Sequence, residues 1–316
     1  MAIWKIDELG EFVTLKRGYD LPQQKRKNGE IPIFSSSGVT GTHNEAMVEA
    51  PGVITGRYGT IGEVFFAETS FWPLNTTLYV ENFHENDEKF VYYFLKTLEW
   101  KKFASASAVP GINRNTVHKE IVRFPDFETQ QKIASVLSTI DKKIAVNKAI
   151  NDNLEQQAAT YFQELFINNA NPMWQISTIS DLGTVVGGST PSKTKPEYYT
   201  NNGIAWITPK DLSINKSKFI SHGENDITEL GLKNSSATVM PKGTVLFSSR
   251  APIGYIAIAS NEVTTNQGFK SVIPYSEIGT AFVYFFLKHS LPVIESAASG
   301  STFKEISGSA MKNLQM

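Results

Sequence analysis

Residues 126–168 read DFETQQKIASVLSTIDKKIAVNKAINDNLEQQAATYFQELFIN, and this stretch decides the architecture. It holds no glycine and no proline and is rich in Gln, Lys, Ala, Leu and Ile, most of which favour the helix. Asp126, directly after Pro125, is placed to cap the first turn, and Asn168–Asn169–Ala170–Asn171–Pro172 supplies the stop. The stretch predicts a single helix of roughly 40 residues, about 60 Å long at 1.5 Å per residue. Along it Ile133, Leu137, Ile140, Ile144, Asn147, Asn151, Leu154, Ala158, Tyr161 and Leu165 advance by alternating fours and threes, the seam of a coiled coil. Such a seam calls for a partner helix, and the two asparagines on it discriminate between registers at a cost in stability. The alternative is a helix that packs along its own flanking domains with the asparagines solvated.

Outward from the helix, the two flanks repeat each other. Trp4–Lys5–Ile6 with Asp7–Glu8–Leu9–Gly10 is echoed by Trp174–Gln175–Ile176 and Ser180–Asp181–Leu182–Gly183. Ile31–Pro32–Ile33–Phe34 matches Ile204–Ala205–Trp206–Ile207, and Gly56–Arg57–Tyr58–Gly59–Thr60–Ile61–Gly62 matches the block from Ser248 through Arg250 to Gly254 with one gap. Asn75–Thr76–Thr77–Leu78 answers to Asn266–Gln267–Gly268–Phe269, and Phe90–Lys96 to Phe282–Lys288. In both copies short β-branched and aromatic runs, Gly52–Thr55 and Thr244–Phe247, are punctuated by Gly, Pro and Ser turns. The spacing of Phe90, Tyr93, Phe94 and Thr97, and of Phe282, Phe285, Phe286 and His289, predicts a core-packing helix late in each copy. The fold class is therefore α+β, a pseudo-repeat of two similar globular domains, residues 1–125 and 171–316, joined by a long coiled-coil-type helix over 126–170. Matching Lys119 with Lys312 and Ile121 with Leu314 ends the second copy where a second long helix is expected to begin.

Composition narrows the function. Of 316 residues 41% are hydrophobic and 19% charged, which excludes wholesale disorder. No run is long and apolar enough to span a bilayer, and the N-terminus has no signal-peptide core, so a cytoplasmic protein without a membrane partner is expected. With no cysteine, disulfides, thiolate nucleophiles and Cys-ligated metals are excluded. The net charge of -1 leaves nucleic-acid contact to local patches.

No catalytic constellation emerges. His43, His84, His118, His222 and His289 lack metal-ligand spacing, so no metal site is expected. Gly187–Gly188–Ser189–Thr190–Pro191–Ser192–Lys193 lacks the Gly-Lys-Ser/Thr of a phosphate-binding loop. Pro125, Asp126 and Glu128 resemble a nuclease motif whose lysine is replaced by Gln130. What remains suits binding. Lys16, Arg17, Lys25, Arg26 and Lys27 face only Asp20, five against one for a local +4. Lys193, Lys195, Lys210, Lys216 and Lys218 face Glu197 and Asp211, five against two for a local +3. Such patches neutralise phosphates, although a merely solvated face has the same composition. Arg57 and Arg250 sit in turns from which a guanidinium reaches a guanine edge or a phosphate bidentately. Asn75, Asn266 and Gln267 carry the carboxamide that pairs with adenine, or serve as turn residues. Tyr19, Ser36, Tyr58, Thr76 and Ser249 lie among them and complete the candidate DNA-contact set.

The assembled pattern resembles the DNA specificity subunits of type I restriction–modification enzymes. The likeness rests on Trp4–Gly10 and Trp174–Gly183, on Leu246–Gly254, on Asn266–Gln267–Gly268, and on Phe124–Ile133 opening the helix; it spans essentially the whole chain. The resemblance implies two target-recognition domains that each read one half of a split duplex target. Paired helices would hold them apart and dock two methyltransferase subunits, which restriction subunits then join. It implies no enzyme activity and no cofactor in this chain, with S-adenosylmethionine, ATP and Mg confined to the partner subunits. It also implies a pairing partner for the seam of Ile133 through Leu165, either a homodimer or a helix of another subunit. Two further readings stay open: a non-DNA scaffold with two β-rich modules on a coiled-coil spacer, and a truncated, inactive specificity allele.

Overall fold

The computed structural model describes residues 3–105, 110–250, 252–300 and 304–315; Ala251, within the repeated block, lies outside them. The predicted helix forms over Phe127–Phe162 and runs on into a π-helical segment, Gln163–Asn168. Asp126 opens it, its carboxylate accepting the amide of Thr129 at 3.0 Å and that of Ile3 at 2.7 Å. Those backbone donors, Thr129 foremost, hold the Asp126 carboxyl below its ordinary pKa. The chain divides into two compact units, Met1–Asn151 and Asp152–Met316, so the first part of the helix belongs to one and its last part to the other.

In the first unit, strand Trp4–Glu8 runs antiparallel to Ile121–Pro125, the strand that feeds the long helix. A four-stranded antiparallel sheet follows the order Thr14–Arg17, Thr77–Asn82, Gly52–Gly56, Val64–Ala67. A second sheet holds Gly38–His43, Ile31–Ser35 and Trp72–Pro73, the last pair parallel. Every residue of Gly52–Gly56 is buried because both faces of this strand are covered. Val53 enters a core with Leu9, Phe12, Phe90, Leu95 and Trp100, while Ile54 enters a separate one with Phe34, Phe71 and Tyr79.

The second unit repeats the plan on its own residues. Its larger sheet runs Gly183–Gly187, Lys270–Pro274, Val245–Ser249, Ile253–Ala259, Phe219–Ile220, and its smaller one Tyr199–Thr200, Asn225–Ile227, Ile204–Ile207, Thr264–Thr265. Along Val245–Ser249, again buried throughout, Val245 and Phe247 enter one core and Leu246 the other. The helices Pro209–Ile214 and Glu229–Lys233 are additions of this unit.

The predicted core-packing helix is present late in each copy, with its most deeply buried face about one residue round from the predicted stripe. Glu88–Lys96 buries Phe90, Val91 and Leu95, and Thr280–His289 buries Val283, Tyr284 and Leu287, while Thr97 and His289 are exposed. Aromatic residues ring most of each helix, so period alone does not choose between two adjacent apolar faces. In the second unit Phe282, Phe285 and Phe286 of the predicted stripe are partly buried against the core, and Phe282 and Phe285 also face the long helix. The Phe162 ring centre lies 5.4 Å from that of Phe282 and 6.3 Å from that of Phe285. Beside it Glu155 accepts from Lys288 Nζ at 2.8 Å, Tyr284 Oη at 2.9 Å and Lys218 Nζ at 3.1 Å. Burial pushes the Glu155 pKa up, but the donors Lys288, Tyr284 and Lys218 outweigh it and bring it down to about 2.

In the first unit Ile133 and Ala134 join the core, and buried Gln130 acts as a clamp. Its Nε2 donates to Asn86 Oδ1 at 2.7 Å and to the Pro125 carbonyl at 2.9 Å, and its Oε1 accepts the Asp87 amide at 3.0 Å. The nuclease-like spacing thus ends in a structural amide. The helix therefore packs on both units, yet much of the seam stays uncovered: Ile140 is 49% exposed, Ile144 60%, Leu154 56%, Tyr161 67% and Leu165 58%.

Caps correct the matching of the two C-terminal segments. Asn113 caps Arg114–His118 and Ser307 caps Gly308–Lys312, with Val117 and Met311 buried at the same place in each. This registers Lys119 with Asn313 and Ile121 with Gln315, one residue later than the sequence match. Gln315 accordingly bridges Thr178 as Ile121 pairs with Glu8.

Gln130→Ala leaves the Asp87 amide and the Asn86 side chain short of partners and is expected to cost about 1–3 kcal/mol, read as a lower denaturant midpoint. The stabilisation from Glu155 has a defined pH window. Its folded pKa is depressed, so the contribution is complete above the unfolded carboxyl value near ~4.3 and is lost as pH falls towards about 2. Glu155→Gln is expected to flatten melting temperature against pH across that window relative to the parent.

Candidate nucleic-acid interface

In the first unit the turn after Gly52–Gly56 organises the candidates. The Arg57 and Tyr58 amides both donate to the Thr76 carbonyl, at 2.9 and 3.2 Å. Arg57 Nε donates to the Ile112 carbonyl at 3.2 Å, and its guanidinium lies 4.4 Å from the Tyr58 ring centre. The Tyr58 ring presses on Gly111, where an added Cβ would stand 2.1 Å from Tyr58 Cε1, so only glycine fits. Ser36, in the turn between Ile31–Ser35 and Gly38–His43, backs Gly59 on the other side.

Asp20 joins two further candidates, accepting from Asn75 Nδ2 and lying 3.4 Å from Arg17 Nη2. Lys16 Nζ donates to Glu81 at 2.5 Å, a bond that raises the lysine pKa. Tyr19 spends its hydroxyl on Tyr79 Oη at 3.0 Å, and Thr76 Oγ1 is buried without a hydrogen-bond partner among the described residues. Lys25 is exposed, while Arg26 Nη1 reaches the Thr40 carbonyl at 3.4 Å. One cavity brings together Lys16, Arg17, Arg57 and Tyr58, and adds Asn113 and Arg114, which the sequence reading missed. Their signal was available only as two polar residues opening a short helix.

In the second unit the same backbone frame carries different side chains. Ile112 donates its amide to the Arg57 carbonyl and Ile306 to that of Ser249; Tyr58 bridges Gly111 as Arg250 bridges Glu305. Gly62 and Gly254 occupy matching turns with φ of +87° and +95°. The two blocks therefore align without the expected gap: Arg57 corresponds to Ser249, and Tyr58 to Arg250. Matching arginine to arginine had shifted the frame by one. The carboxamides shift likewise, since Asn75 bonds Asp20 where Gln267 bonds Thr190 on the matching loop.

Ser249 is fully buried, with its amide donating to Gly268 at 2.7 Å. Arg250 Nη1 lies 3.4 Å from Glu305, whose other carboxylate oxygen is 3.6 Å from Lys270 Nζ. Asn266 spends its Oδ1 on the Gly268 amide at 2.9 Å, holding its own turn. Lys210 Nζ donates to Glu224 at 2.6 Å, and Lys193 is exposed. Among the described residues no His, Asp and Glu are grouped to hold a metal ion, and no helix is long and apolar enough to cross a membrane.

Two modules with one backbone plan and divergent polar loops define a chain built to present two related but unequal contact surfaces. The family model described as "Type I restriction modification DNA specificity domain" matches residues 1–156 and again 171–316, and the chain belongs to that family. The specificity subunit of the type I restriction enzyme MjaIX of Methanocaldococcus jannaschii is 43% identical over 159 residues, 50% of this chain and 37% of that protein. The specificity subunit of EcoR124I/EcoR124II of Escherichia coli is 27% identical over 209 residues, 63% of this chain and 50% of that protein. The chain thus spans half or less of the length of these two relatives. The crystal structure of a type I restriction–modification S subunit from M. genitalium has the same fold, with a TM-score of 0.64 at 17% identity, covering 99% of this chain and 84% of that one.

Asn266→Ala is expected to cost about 1 kcal/mol in folding stability through the unpaired Gly268 amide. The exposed Gln267→Ala should stay within about 0.5 kcal/mol of the parent, and urea unfolding of the two variants side by side checks the contrast.

Proposed function

We propose that this chain is the non-catalytic sequence-recognition subunit of a cytoplasmic type I restriction–modification assembly. Each module reads one half of a bipartite duplex target, and the chain docks two methyltransferase subunits that restriction subunits join. The observation that carries this reading is the duplication itself. One DNA-specificity domain occurs twice, on a common backbone frame whose outward turns carry Arg57 with Tyr58 in one copy and Arg250 in the other. Guanidinium and carboxamide groups on rigid turns supply the bidentate geometry that base edges require. Methyl transfer, ATP-driven motion and cleavage belong to the partners, which bring S-adenosylmethionine, ATP and Mg.

The seam from Ile140 to Leu165 suits a helix-pairing role, either with a second long helix or with the same helix of a second copy. Its exposed apolar residues keep the heptad spacing that a partner helix meets.

Coexpression with the cognate methyltransferase, followed by mapping of modified bases in genomic DNA, tests the reading. The expected result is a split motif. Arg57→Ala and Arg250→Ala should each relax one half of it, by about 1–3 kcal/mol of discrimination per lost bidentate contact. Methylation that ignores the presence of this chain would overturn the reading in favour of a scaffold without DNA contact.

A further inference from the structure

The cavity beside Arg57 has a volume of about 580 Å³ and is lined by Lys16, Arg17, Arg57 and Arg114 together with Tyr58 and Asn113; no carboxylate is among its described lining residues. The four cations come from three elements. Lys16 and Arg17 lie on strand Thr14–Arg17, Arg57 on the turn after Gly52–Gly56, and Arg114 on the first turn of the helix that Asn113 caps. They are not equally engaged. Lys16 is matched by Glu81 and Arg17 by Asp20. Among the described residues Arg57 commits only Nε, to Ile112, and its guanidinium lies over the Tyr58 ring. Arg114 is exposed and makes no hydrogen bond or ion pair among the described residues.

Lysine and arginine side chains donate and do not accept. Four cations converging on one cavity suit a group of full negative charge better than a neutral base edge. We infer that this cavity holds a backbone phosphate of duplex DNA, with Arg114 as its grip beside the base-reading Arg57; the inference rests on the DNA-reading role proposed above.

The second unit does not repeat the site. Val186, Gly187, Ser249 and Gly308 stand where Lys16, Arg17, Arg57 and Arg114 stand in the first, by the strand pairing and the matched caps. Its own Arg250 and Lys270 share Glu305. The phosphate grip is therefore a property of one module, and the two half-sites differ in their salt dependence.

The test is fluorescence anisotropy of the full chain with labelled mixed-sequence duplexes, titrated between about 50 and 200 mM KCl. Arg114→Gln should weaken binding to unrelated duplexes alike and reduce the slope of log K against log [KCl] by about one. Arg114→Lys should restore the slope, and Lys148→Gln, the same charge change on the exposed side of the long helix, should leave it unaltered. An unchanged slope in Arg114→Gln overturns the inference, as does a loss confined to one duplex sequence, which would mark base reading. Displacement of the duplex by inorganic phosphate at matched ionic strength also overturns it, marking a pocket for free phosphate. A parent chain that binds no duplex removes the DNA-reading role itself, whereas a binding parent with an indifferent Arg114→Gln removes only the phosphate assignment.

Discussion

Val53 and Ile54 are neighbours in the chain and cannot face the same way, and each must be buried. From that constraint the first unit follows. A strand apolar on both faces needs a layer on each, so one core gathers helices and the other gathers the smaller sheet. Val245, Leu246 and Phe247 impose the same demand on the second unit and meet the same answer. The strand so held cannot shift register without turning its entire apolar set to the wrong layer. Whatever leaves its end, the turn of Arg57 and Tyr58 or that of Arg250, leaves from a fixed point.

That rigidity lets recognition chemistry vary without moving the frame. The Thr76 and Gly268 carbonyls anchor the two turns alike, while the side chains above them differ in identity and charge. One module ends with cations around an open cavity; the other neutralises its arginine with Glu305. Because burial and backbone hydrogen bonds set the frame, substitutions of exposed turn side chains that make no frame-holding bond cost little stability, and the modules are free to diverge at those positions.

Much of this was legible in the residues. The long helix, its cap at Asp126, the duplication and the β-rich character of the copies all follow from period and composition, which are local signals. Less legible were the details set by tertiary contact. The facing of Glu88–Lys96 and Thr280–His289 was ambiguous because aromatic residues surround both helices, and only packing selects a side. The one-residue errors at Arg57/Arg250 and at Lys119/Lys312 arose from matching identical side chains, where the structure matches positive-φ glycines and helix caps. Arg114 went unnoticed because it is a lone cation in sequence; folding places it beside Arg57, far along the chain.

The bare row of isoleucine, leucine and tyrosine on the long helix makes the energy of this chain depend on its company. Apolar area left in water is a standing deficit that any covering helix removes, and a ligand of the folded form alone stabilises it by mass action. A helix that covered this row would raise the melting point further the more of it is dissolved alongside the chain.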